Sequence, residues 1–183
     1  MRIAFLVLLV TAGVTHAEGR VGVHLGGGME GGLITGKPRP DVVGELGVSA
    51  DWIPSGHAVG VGLSFDRVAR PLDFESEHTL DLMARFRTKK DSVLGIGMGV
   101  RWLDPGGGEP SWFGYDWIRM DSTLPLARGK RGAIDAYVRW TFGCYVSHTD
   151  EMPERPQLVH DVHCGDTMTT TYVVGLQASL NWL

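Results

Sequence analysis

The sequence predicts an all-β chain, with eight antiparallel strands closed up-and-down into a transmembrane barrel that has a polar interior. Three observations predict it. Stretches of roughly ten residues alternate between a greasy phase and a small or charged one, as a lipid-facing strand does. Short turns alternate with long loops between these stretches. An N-terminal leader directs the chain out of the cytoplasm.

In the leader, Arg2 precedes the apolar run Ile3 to Val10, and Thr15-His16-Ala17 fits a cleavage site of the A-x-A kind. Residues 1–17 are therefore expected to be a signal peptide and residues 18–183 a single barrel domain beginning at Glu18. The apolar run is too short for an uncleaved membrane anchor, which needs about 20 residues. With 183 residues, 43% of them hydrophobic, and a mean hydropathy near zero, the chain is neither a helical membrane bundle nor a disordered polymer. Its net charge is −4, and removing Arg2 with the leader makes it one unit more negative. No basic block suggests nucleic acid.

The last stretch, Thr169 to Trp182, is the clearest strand: Tyr172, Val174, Leu176, Ala178, Leu180 and Trp182 oppose Val173, Gly175, Gln177, Ser179 and Asn181. The first, Arg20 to Gly28, sets Val21, Val23 and Leu25 against Gly22, His24 and Gly26. The second, Val42 to Ile53, sets Leu46, Val48, Ala50 and Trp52 against Glu45, Gly47, Ser49 and Asp51. After the turn Pro54-Ser55-Gly56, the third runs from His57 to Arg67, with Val59, Val61, Leu63 and Phe65 on its greasy face. The fourth, His78 to Arg87, carries Leu80, Leu82, Ala84 and Phe86 on that face, and Thr88-Lys89-Lys90-Asp91 turns into the fifth, Ser92 to Trp102. The sixth, Gly114 to Leu126, is the least regular, with Ile118, Met120, Ser122 and Leu124 opposing Trp117, Arg119, Asp121 and Thr123. The seventh, Ala133 to Tyr145, shows Ile134, Ala136, Val138, Trp140 and Phe142 on the greasy face.

The connections after the second, fourth and sixth strands are short, whereas those after the odd strands run through Met29–Asp41, Val68–Glu77, Leu103–Phe113 and Val146–Met168. Turns on one side and long loops on the other are the asymmetry of bacterial outer-membrane barrels, whose turns are periplasmic. A soluble barrel would instead pack its bulky phase inward and show water a phase rich in Lys, Glu and Thr. Here the second phase is Gly, Ser and charges of both signs. Arg85, Arg101, Arg119 and Arg139, with Arg87 beside them, are expected to meet Glu45, Asp51, Asp66, Asp81, Asp121 and Asp135 in a narrow lumen. All four lysines lie in loops or turns. The planar fork of Arg suits buried carboxylates, whereas Lys prefers water. Glycines at Gly60, Gly62, Gly95, Gly97 and Gly99 would make room for those large side chains.

Aromatic residues then stand at both ends of the greasy faces. Trp52, Phe86 and Trp182 would ring the periplasmic side, and Phe65, Trp102, Tyr115, Trp140, Phe142 and Tyr172 the outer side. With its leader, strand number, loop asymmetry and terminal Tyr172 to Trp182 strand, the mature chain resembles the small eight-stranded outer-membrane proteins, the family of OmpX, Ail and the OmpA transmembrane domain. The resemblance implies a monomer in the outer membrane of a Gram-negative bacterium, bedded in lipid and lipopolysaccharide. It also implies a last strand read by the barrel-assembly machinery, with Trp182 in the outward aromatic phase and Leu183 following it.

An eight-stranded barrel is just wide enough to be filled by its own side chains, so a general diffusion pore is not expected. Loops displayed on the rigid scaffold are the expected working parts, in adhesion, immune evasion, membrane stability or ligand binding at the surface. No cofactor or metal is required by this reading. Cys144, at the end of the seventh strand, and Cys164, just before the eighth, are expected to pair in an oxidising compartment, stapling the last loop with about 3 kcal/mol. The competing use of His148, His160, His163 and Cys164 as metal ligands is less suited to that compartment, and Asp150, Glu151, Glu154, Asp161 and Asp166 read as a solvated acidic loop. Two alternatives remain. One is an enzyme that remodels lipid A with Ser76, His78, His148 and Asp150; the other is a soluble periplasmic carrier with an apolar cavity. His24 and Asp51 read as members of the lumen network rather than a catalytic pair.

Overall fold

The computed structural model describes residues 17–32, 41–70, 75–104, 112–146 and 168–182. They form β1 (Ala17–Gly32), β2 (Asp41–Pro54), β3 (Val59–Arg70), β4 (Glu75–Arg87), β5 (Val93–Asp104), β6 (Trp112–Arg128), β7 (Gly132–Val146) and β8 (Met168–Trp182). Each strand pairs antiparallel with the next, and β8 pairs with β1, so the sheet closes into an all-β barrel of eight strands. Closure satisfies the backbone donors and acceptors that an open sheet leaves bare at its edges. In register, Val23 lies opposite Val48 on one side and Ala178 on the other, which keeps the greasy phase of all three strands on one face.

That face points outward. Val61, Leu82, Ile96 and Val138, from four different strands, are 55, 61, 47 and 50% exposed. The inward phase is charged or small: Asp66, Asp81 and Asp135 are wholly buried, as is most of Arg101, Arg119 and Arg139. A water-soluble barrel with a greasy centre is the reverse of this arrangement. The interior is not uniformly polar, because Val43, Val68, Val173 and Tyr137 form a buried cluster within it.

The short connections and the outer ends of β1 and β8 lie at one end of the barrel, where Ala17 faces Pro54 and Gly19 faces Trp182. The Pro54 carbonyl accepts a hydrogen bond from the His57 amide, with Gly56 at φ +77° in between. Asp91 takes φ +59° in the β4–β5 turn, a left-handed conformation that a short polar side chain tolerates.

The strands are longer than the periodicity alone predicted, chiefly at the end opposite the turns: β1 continues to Gly32, β3 to Arg70, and β4 begins at Glu75. The irregular sixth strand has a physical cause. Its pairing slips between Asp116 and Ile118 and again between Pro125 and Ala127. A bulge gives one strand an extra residue, and Pro125, which cannot donate to the ladder, sits at the second slip. The first slip overturns one assignment: Trp117, expected on the lumen face beside Arg119, is turned outward together with Ile118.

Candidate functional site

The lumen is packed with ion pairs. At its centre Arg119, from β6, donates through Nη1 to Asp66 and, at 2.5 Å, to Asp81, and through Nη2 to the Ser64 hydroxyl at 3.0 Å. Arg139, from β7, pairs with Glu45 and lies 3.4 Å from Asp66. His24 Nε2 contacts Asp66 and stands 3.3 Å from Glu45, whose carboxylate also accepts the Tyr137 hydroxyl at 3.1 Å. Toward the turns, Arg85 bridges Asp51 at 2.7 Å and Asp121, while Arg20 and Arg128 both reach Asp135. Of the charged residues expected in the lumen, Glu45, Asp51, Asp66, Asp81, Arg85, Arg101, Arg119, Asp135 and Arg139 are buried, and Asp121 is half-buried.

A further ionic cluster at the loop end lies beyond what the sequence reading reached. Arg70 donates from Nε and Nη2 to the Glu30 carboxylate, at 3.1 and 2.8 Å, and from Nη2 to Glu77 at 2.7 Å. Arg101 holds Asp116 through Nε at 2.6 Å and Thr169 through Nη1 at 2.7 Å. Periodicity alone puts Glu30, Arg70 and Glu77 in loops, because the greasy alternation stops before them. Had the charged phase been followed on its own, Glu30 and Arg70 continue it from His24 and Asp66 with the same spacing of two.

Small residues make room for this network. A β-carbon on Gly47 would collide with His24 and Asp66, one on Gly62 with Asp51 and Arg85, one on Gly95 with Arg85 and Asp121, and one on Gly99 with Asp81. Gly60 and Gly97 were expected in the same role but serve another: their neighbours are the Trp52 carbonyl and Ile53, and the Leu82 carbonyl and Met83. A lumen void of about 20 Å³, bordered by His24, Asp51, Arg85 and Arg119, has room for about one water. His24, Glu45 and Asp66 converge closely enough to hold a cation. Arg119 and Arg139 already supply positive charge to those two carboxylates, so the donor set does not fit a resident metal.

On the outer wall, the expected aromatic residues stand near both ends of the strands. Phe65 and Trp102 lie 6.0 Å apart by ring centroids, with His78 stacked on Trp102 at 5.4 Å; Trp140 and Tyr172 lie 6.4 Å apart. The Trp140 indole donates to Thr170 at 2.8 Å. Trp117, released outward by the bulge, meets Phe142 edge-on at 5.8 Å. Tyr115 is exposed on the same side, Trp52 and Phe86 flank the turn end, and Trp182 ends β8 there.

Cys144 is fully buried on β7, and among the described residues no cysteine is free. Cys164, His148, Asp150, Glu151, Glu154, His160, Asp161, His163 and Asp166 lie outside the described residues. Of the four candidate catalytic groups, Ser76 and His78 share the outward phase of β4, and the other two lie outside the described residues. Ser64 and His24 instead meet at Asp66 inside the lumen, where the Ser64 hydroxyl donates to the carboxylate at 2.9 Å and the imidazole contacts its other oxygen.

No family model and no curated protein matches the chain. Solved structures resemble it in architecture. Ail of Yersinia pestis matches at 15% identity over 90% of this chain and 99% of its own, with a TM-score of 0.47. Neisserial surface protein A matches at 10% identity over 91 and 96%, with a TM-score of 0.48. The outer membrane protein OprG of Pseudomonas aeruginosa matches at 12% identity over 91 and 97%, with a TM-score of 0.40. Likeness this distant carries no function across; the closed barrel rests on this chain's own strand pairing.

Proposed function

We propose that the chain is a small outer-membrane barrel of a Gram-negative bacterium, a rigid scaffold whose long loops meet the cell's surroundings. One observation carries the reading: bulky apolar side chains face outward on every strand while most of the described strand arginines and carboxylates are sealed within. In water such a belt exposes far more contiguous apolar surface than a monomer tolerates. In a bilayer it meets acyl chains, and the ion pairs escape them. Strands of 12 to 17 residues exceed the roughly 9–11 that cross a bilayer, so they reach beyond it. The filled lumen argues against a general diffusion pore and against a carrier with an apolar cavity. Adhesion or surface-ligand binding through the loops is the role this scaffold suits.

Fractionation tests the reading. The protein should be recovered with outer membranes and migrate faster on a gel when unheated than when boiled. Release by osmotic shock without detergent would overturn it.

A further inference from the structure

Among the described side chains, the outward wall of the barrel is free of charge except at one place. Among the described side chains of the strands, Arg67 and His78 are the only outward-facing members of the Asp, Glu, Lys, Arg and His set. They are direct cross-strand partners on β3 and β4. His78 is opposite Trp102 on β5, and Phe65 stands two residues before Arg67, so the pair sits within the aromatic row at the loop end. No described residue forms a hydrogen bond or ion pair with Arg67, and His78 Nδ1 is enclosed without a partner.

A charge on the lipid face costs about 2–4 kcal/mol at mid-bilayer and close to nothing at the interface. Arg67 therefore belongs at head-group depth, as the aromatic row also indicates. A guanidinium there, its fork unused, with an imidazole beside it, matches a phosphate. One strand further on, Met98, Val100, Tyr115 and Trp117 line an apolar groove on the same wall, open to the lipid side. An anion site beside an apolar groove fits a lipid with a charged head and several acyl chains better than it fits a free anion.

We infer that Arg67 and His78 form a binding site for a phosphate of an outer-leaflet glycolipid of the lipid A type, whose acyl chains lie along the Met98 to Trp117 groove. The inference rests on the membrane reading above and deepens it. His78 stacks on Phe65 and Trp102 with its Nδ1 enclosed, so the Arg67 fork and the His78 Nε2 are the groups left to meet a ligand from the membrane.

The test uses the full chain folded in detergent, its folding verified by heat-modifiable migration, with bound lipid counted by native mass spectrometry. Bis-phosphorylated lipid A should be retained about tenfold better than the same lipid stripped of phosphate, the equivalent of one weak charge-assisted hydrogen bond. Arg67→Gln combined with His78→Gln should abolish that preference, and Arg67→Lys with His78 intact should keep part of it. Arg131→Gln, which removes the same charge from the turn end, should change nothing. Inorganic phosphate at millimolar concentration should displace no lipid. Equal retention of both lipids, unchanged retention by the double variant, an equal loss in Arg131→Gln, or displacement by inorganic phosphate would each overturn the site. A wild-type chain that shows no heat-modifiable folded form would instead count against the membrane reading itself.

Discussion

Arg119→Ala is the most informative single change. Arg119 is almost wholly buried and donates to Asp66, Asp81 and Ser64, so its removal strands two carboxylates in the lumen with Arg139 and His24 as their remaining company. Breaking a buried ion pair by deleting one partner costs about 3–5 kcal/mol, because the survivor keeps its desolvation penalty and loses its compensation. Asp66 keeps two neighbours but Asp81 has no other described ion pair, which places the expectation at about 4 kcal/mol. The assay is urea unfolding of the protein in detergent micelles, followed by tryptophan fluorescence and checked by gel migration. Arg119→Lys should recover less than half of the loss, since an ammonium cannot span both acids and Ser64 together. Arg119→Met combined with Asp66→Asn and Asp81→Asn should lie closer to wild type than Arg119→Ala, because no uncompensated charge remains. A loss under about 1 kcal/mol for Arg119→Ala, the size of an exposed pair, would refute the sealed ionic core.

Leu82→Arg, on the outward face, should destabilise the vesicle-inserted protein by about 2–4 kcal/mol, whereas Ser55→Arg in the turn should be near neutral; equal effects in a urea titration would contradict the belt. Gly47→Ala should cost about 1–3 kcal/mol, as its new β-carbon meets His24 and Asp66, while Gly44→Ala, with open space around it, should be tolerated; melting temperatures compare the two. A non-reduced peptide map should contain a Cys144 to Cys164 cross-link, and two free thiols would defeat the expected loop staple. In a planar bilayer the folded protein should lack the steady conductance of a diffusion pore, because Arg119 and Arg139 and their acids fill the centre.

The barrel was legible in the sequence because a period of two is unforgiving: shift any strand by one residue and every greasy side chain would move into the lumen. Val61, Leu82, Ile96 and Val138 announce their side unaided. The ionic centre was legible too, since Glu45, Asp66, Asp81, Arg119 and Arg139 all fall in the second phase. Three things were hidden. The bulge at Trp117 breaks the period, and no local residue marks it. The strand ends at Glu30 and Arg70 lie beyond the bilayer-length greasy run, so the signal that defined the strands had already stopped. The identity of each pair, such as Arg85 with both Asp51 and Asp121, depends on shear around the closed barrel, which single-strand patterns do not contain.

The central claim is the direction of the bulky phase, and labels report it most directly. Nitroxide side chains placed singly at Val61, Leu82, Ile96 and Val138 of the vesicle-inserted protein should be relaxed strongly by oxygen, which concentrates in acyl chains, and weakly by a water-soluble nickel complex. Labels shielded from both reagents, as side chains packed around a common interior axis would be, would contradict the account.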